Sequence, residues 1–187
     1  MKSVTFTLLL MAMLLLPGCV PISIHPCYTE QSEITLPDLP GTYLDEDGEK
    51  ILRFTEAEAG GYNMHMLDGD EDMGTFETHF CRAGDQILID MLPVAGSIGV
   101  VDEWAQSMIL PLHLVCGVEL DGAVLRLTVP DYEAMVAELE RDSTQVSHFR
   151  RESAVVFQAE PPELAAFFEK LFESDIERHT ATFVRQD

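Results

Sequence analysis

Beyond residue 38, apolar and polar side chains alternate with a period of two, in short runs broken by Asp-Gly turns. Gly41–Leu44 and Lys50–Thr55 flank Asp45-Glu46-Asp47-Gly48-Glu49. Gly61–Leu67 leads into Asp68-Gly69-Asp70-Glu71-Asp72. Gly74–Arg82 and Gln86–Leu92 flank Ala83-Gly84-Asp85, with Phe76 and Phe80, then Ile87 and Ile89, at alternating positions. Leu110–Leu120 and Ala123–Val129 make a further hairpin about Asp121-Gly122, and Leu112, Leu114, Cys116, Val118 and Leu120 share one face. Twice the period changes to that of a helix. Behind Asp131 as a cap come Tyr132, Met135, Val136 and Leu139; behind Pro161-Pro162 come Leu164, Phe167, Phe168, Leu171 and Phe172. Short strands at Gln145–Arg150, Ala154–Gln158 and Thr180–Val184 flank the second helix. This order predicts a mainly β fold of the β-rich α+β class. It is a single antiparallel meander barrel or sandwich, with two short helices near 131–141 and 161–173 in the C-terminal half.

No such period marks residues 1–38. Lys2 precedes an apolar run from Val4 to Leu16, and Pro17-Gly18-Cys19 follows. A spanning helix needs about 20 apolar residues, more than this run supplies, so it reads as an export signal. Leu16-Pro17-Gly18-Cys19 resembles the lipobox of bacterial lipoproteins. That resemblance implies cleavage before Cys19, a thioether-linked diacylglycerol on its sulfur and an acylated amine. Val20 stands where an inner-membrane retention aspartate would be, which favours the outer membrane, on its periplasmic face. The expected division is a signal peptide at 1–18, a lipidated cysteine with a flexible tether at 19–38, and one globular domain at 39–187. Pro21, Pro26 and Pro37 mark the tether, whose extended reach is about 60 Å.

Charge narrows the choice of partners. The chain carries a net −22, and loss of the leader removes one lysine and no acid. Such a surface repels phosphate backbones, which excludes nucleic acid, and it repels anionic headgroups. Membrane contact therefore has to come through lipid on Cys19. With Cys19 modified, Cys27, Cys81 and Cys116 remain, an odd number. In an oxidising compartment Cys81–Cys116 is the natural bridge to consider. Alternation opposes it, because Cys81 shares a polar face with Glu77 and His79 while Cys116 lies on the apolar face. No Cys-x-x-Cys pair supports a zinc or thioredoxin-type site.

Leu39-Pro40-Gly41-Thr42-Tyr43 resembles the opening strand of lipocalin-like (calycin-like) barrels, with Tyr43 where those often carry tryptophan. Leu110-Pro111-Leu112-His113, Leu120-Asp121-Gly122-Ala123-Val124-Leu125-Arg126-Leu127 and the helix pair are similar to a group of bacterial lipoproteins of uncharacterised activity. The lipocalin likeness implies a pocket for an apolar ligand and names no catalytic residue.

The remaining motifs are weak. Ala95-Gly96-Ser97-Ile98-Gly99 has the spacing of an esterase elbow, but no helical stripe or βαβ order follows it. His113 or His148 with Asp131 are the partners it would need. The Asp68–Asp72 turn has acids at the first, third and fifth positions of a calcium loop, but Met73 and His79 occupy its glycine and glutamate positions. Met64-His65-Met66, with His79 and Met91, hints at a soft metal, yet alternation puts His65 opposite the methionines. His113 reads as a structural histidine. Tyr43, Phe54, Phe76 and Phe80 line the barrel interior, as packed core or as a cavity wall. The resulting expectation is a lipid-anchored, non-catalytic envelope protein, without metal or cofactor, that binds a small apolar ligand or a protein partner. A serine hydrolase using Ser97 and a structural lipoprotein without ligand are the alternatives.

Overall fold

The computed structural model describes residues 20–94, 96–97, 112–141, 146–151 and 154–186. The expected signal peptide, Cys19 and most of the excursion around Gly96–Gln106 lie outside the described residues. Strands follow in chain order as β1 (Ile22–Ser23), β2 (Glu33–Ile34), β3 (Gly41–Leu44), β4 (Lys50–Glu56), β5 (Tyr62–Asp68), β6 (Glu71–Ala83), β7 (Gln86–Pro93), β8 (His113–Asp121) and β9 (Val124–Pro130). Helix α1 (Tyr132–Arg141), β10 (His148–Arg151), β11 (Ala154–Phe157), helix α2 (Pro161–Glu173) and β12 (Arg178–Gln186) complete them.

Strands β3 to β9 pair in sequence, each antiparallel to the next; β12 then pairs with both β9 and β3. The ring is closed, an eight-stranded antiparallel barrel with two short helices late in the chain. Closure leaves none of these strands as a full-length edge, and only the ends of β6 and β8 stay open to further pairing. The hairpins are tight where the sequence placed glycine. Asp121 pairs with Val124 across a two-residue loop, and Gly122 has φ 58°, a conformation that favours glycine.

The inserted segment between β9 and β12 builds an annex on the outside of the barrel. Asp131 caps α1, its Oδ1 accepting the Ala134 N–H at 3.0 Å. Pro161 opens α2, where a missing N–H costs nothing. All five apolar stripe residues of α2 are buried. They meet the outward faces of the wall strands at Cys81, Ala83, Leu88 and Val115. Gly117 of β8 makes the approach close, since a Cβ there would lie 3.0 Å from the Phe172 ring. The barrel interior forms a second cluster of large side chains, with Tyr43, Phe54, Tyr62, Phe76 and Phe80 each at most 3% exposed.

The reading of residues 20–38 changes, and so does the polar face assigned to Cys81. Residues 20–38, read as a flexible tether, lie against the barrel as a strap. β1 adds antiparallel to β8 and parallel to β11, and β2 adds to the end of β6 that β5 leaves free. Their strands are only two residues long, too short to show a period. The Cys81–Cys116 bridge that alternation opposed is excluded: Cys116 points into the barrel and Cys81 into the annex, on opposite sides of one wall. The face of Cys81 is dry because the strap and α2 cover it. All three described cysteines are free thiols.

Candidate functional site

The densest polar chemistry sits on the outer wall beneath residues 20–38. Alternation along β6, β7 and β8 sends Glu77, His79 and Cys81, then Leu88 and Asp90, then His113 and Val115 outward. His79 stands opposite Asp90, and Asp90 opposite Val115. The strap leaves β1, crosses this patch and ends at β2, with Glu33 opposite Cys81.

Asp90 is 1% exposed and holds both sides of the crossing. Its Oδ2 accepts the Cys27 N–H at 2.7 Å, and its Oδ1 lies 2.5 Å from His113 Nδ1. A carboxylate only accepts, so Nδ1 is the donor. Cys27 Sγ then lies 3.5 Å from Cys81 Sγ, and the Cys81 thiol donates to the Cys27 carbonyl at 3.2 Å. Both thiols are buried. The neighbouring Cys81 thiol, burial and the Asp90 charge together push the Cys27 pKa up. Within the barrel, burial followed by the Asp90 charge pushes Cys116 up to about 12.

Tyr28 stacks on His79, with ring centroids 4.4 Å apart. Burial, then the charges of Asp90, Glu33 and Glu77, raises the tyrosine's pKa. His79 lies 2.6 Å from Glu33 through Nδ1 and 3.2 Å from Glu77 through Nε2. Burial works against its charged form, but the two carboxylates outweigh it and raise its pKa above the ordinary value. A raised histidine pKa stabilises the fold fully below the unfolded value of about 6.5 and stops doing so as pH rises through the folded value. Stability is therefore expected to fall with rising pH from about 6.5 upward, and His79→Gln is expected to flatten that slope. Urea melts across this range check it; an unchanged slope in the variant assigns the effect elsewhere.

The other predicted residues are placed separately. Ser97 Oγ accepts the Thr75 N–H at 3.0 Å and lies within donor reach of the Val94 and Thr75 carbonyls, at 2.8 and 3.0 Å. Its hydroxyl fastens the end of β7 to β6. His148 Nδ1 faces the Val146 carbonyl, and Asp131 caps α1 and meets His179 at 3.4 Å. Met64 and Met91 are buried inside the barrel, with Met66 packed on the same cluster, whereas His65 lies outside, 2.9 Å from Asp72. In the acidic turn, Asp72 also accepts the Gly74 N–H, so its carboxylate serves the hairpin. Among the described residues no cluster of three or more His, Cys, Asp or Glu could hold a metal, and no helix is long and apolar enough to cross a membrane.

Asp90 and Cys27 went unrecognised in the sequence. A lone acid inside Ile87-Leu88-Ile89-Asp90-Met91-Leu92 was the available signal, because a carboxylate in an apolar strand needs a partner. Cys27 gave no signal within a segment lacking period.

The fold and this site define a filled eight-stranded antiparallel barrel carrying a helical annex and a strap fastened by a buried carboxylate, consistent with a lipocalin-like architecture. Comparison with protein-family models, with curated proteins and with solved structures finds no match.

Proposed function

We propose that the chain is an exported, lipid-anchored envelope protein that acts without catalysis and engages a protein partner on its outer surface. The observation that carries this choice of partner is the filled interior: Tyr43, Phe54, Tyr62, Phe76 and Phe80 occupy the space an apolar ligand would take. The engagement of Ser97 with the backbone of Thr75 and Val94 supports a structural role for that hydroxyl. A shallow depression lined by Gly41, Thr42, Gly122 and Ala123 offers Arg185 as a charge, but that guanidinium donates to the Asp38 and Pro40 carbonyls. Export rests on Lys2 and the apolar run from Val4 to Leu16, and lipidation on Leu16-Pro17-Gly18-Cys19.

Native mass spectrometry of the protein released from its own envelope tests the reading. A retained protein partner is the expected result; a retained molecule of a few hundred daltons overturns it in favour of a ligand-binding barrel. Intact mass tests the anchor: the mature chain is expected to start at an acylated Cys19, and Cys19→Ser to leave an unlipidated precursor. A wild-type chain that starts elsewhere and carries no acyl group sinks the anchor. The hydrolase alternative has its own assay, since fluorophosphonate labelling lost in Ser97→Ala establishes an enzyme.

A further inference from the structure

We propose that Cys27 and Cys81 are a disulfide-forming pair that fastens the strap covalently to the barrel wall during folding. Their sulfurs lie 3.5 Å apart, in direct contact with nothing between them. A bridge requires about 2.05 Å between the sulfurs, so the two have to close by roughly 1.5 Å. The backbone already brings the two residues together from both directions. The Cys27 N–H is held by Asp90, which stands on β7 next to β6, and the β2 pairing places Glu33 opposite Cys81. The third described thiol does not compete, because Cys116 lies on the inner side of the wall.

The burial of both thiols decides when the reaction runs. The thiolate is the attacking species, and a buried thiol stays protonated. An oxidant therefore reaches the pair before the strap seats, and a reductant is kept out afterwards. The oxidant is a disulfide-bearing protein or small molecule. One cysteine thiolate attacks it and forms a mixed disulfide, releasing one thiol. The second cysteine thiolate then displaces the other half. Two thiols of the chain become one disulfide, two electrons and two protons pass to the oxidant, and the oxidant leaves as two thiols. The bridge joins residues 54 apart in sequence. It makes a strap held by few backbone bonds inseparable from the barrel. The source of the oxidant in the cell rests on the export proposed above, whereas the reactivity of the pair does not.

Full-length protein, unfolded with its thiols reduced, is refolded with reduced and oxidised glutathione. It is then denatured, labelled with a maleimide without reduction, and mapped by peptide mass. Cys27 and Cys81 are expected to be unlabelled and linked, 2 Da lighter than the two thiol peptides, while Cys116 is labelled. Protein refolded in reductant throughout, with the pair still as thiols, is expected to melt about 10 °C below the oxidised protein, from the loop-closure scale for this span. That shift is expected to vanish in Cys27→Ala and persist in Cys116→Ala. Full labelling of Cys27 and Cys81 after refolding, or a Cys81–Cys116 linkage, overturns the proposal. The map needs only the wild-type chain, so a variant that fails to fold does not decide it. Protein taken directly from cells forms the second arm: a bridge formed in vitro but missing in cells refutes the export reading and leaves the pair intact.

Discussion

Phe168→Ala is expected to destabilise the protein by about 3–5 kcal/mol, roughly 10 °C in Tm for a chain of this size. Phe168 is fully buried in the annex and meets three aromatic rings, Phe157, Phe167 and Phe172, with centroids 5.6 to 6.2 Å apart. Truncation removes the area each ring covers and leaves a cavity whose walls are other rings, which collapse poorly. The transition is expected to stay single. The wall strands are buried on both faces, with Phe80, Ile89 and Cys116 inward and Cys81, Leu88 and Val115 outward. Loss of the annex would strip the outer face of the same strands whose inner face holds the barrel core. Scanning calorimetry on the variant checks this. Two separate transitions would show that the annex unfolds independently, and a loss under about 1 kcal/mol would show that the ring does not anchor it.

The parts of this architecture that are local in sequence were readable, and the parts that join distant segments were not. The period of two in Gln86–Leu92 identifies β7, and the prolines at 161 and 162 place the start of α2 where the structure has it. Turn glycines mark each tight hairpin of the barrel. Ring closure depends on β12 reaching both β9 and β3, and nothing in Thr180–Val184 states which strands it will meet. The same alternation that exposed the strands misjudged one face. Glu77, His79 and Cys81 looked wet as a set, and Cys81 is dry only because the strap and α2 arrive from elsewhere in the chain. Prolines 21, 26 and 37 made the strap look like a tether. Its order comes from the open end of β8, the buried Asp90 carboxylate and the Cys81 sulfur, all supplied by residues 79–115. The inner face was legible only as far as its position: alternation puts Phe76 and Phe80 inside, as packed core or as a cavity wall, and the structure packs them with Met64 as core.

Asp90→Ala is expected to cost about 2–4 kcal/mol and to act first on the strap. The carboxylate is 1% exposed and bonds two groups that no other described residue is placed to take, the Cys27 N–H and His113 Nδ1. Without it the buried Cys27 amide loses its acceptor, and an unsatisfied buried donor costs more than a hydrogen bond contributes. His113 suffers less, because its side chain is 12% exposed and reaches some water. Asp90→Asn separates shape from charge. The amide oxygen still accepts from Cys27, and the amide NH2 donates to Nδ1 once the histidine carries its proton on Nε2. The asparagine variant is therefore expected to lose roughly half as much as the alanine variant. Hydrogen exchange locates the effect. In Asp90→Ala the strap amides around Cys27 are expected to exchange about 100-fold faster in the reduced protein, while amides of β4 and β5 accelerate only with the global loss of stability. Oxidation should close most of that gap, because a Cys27–Cys81 bridge holds the strap where the carboxylate no longer does. An alanine variant within 0.5 kcal/mol of the parent, with unchanged exchange at Cys27, would show that the strap is held by its strand pairings and that Asp90 merely fills space beneath it.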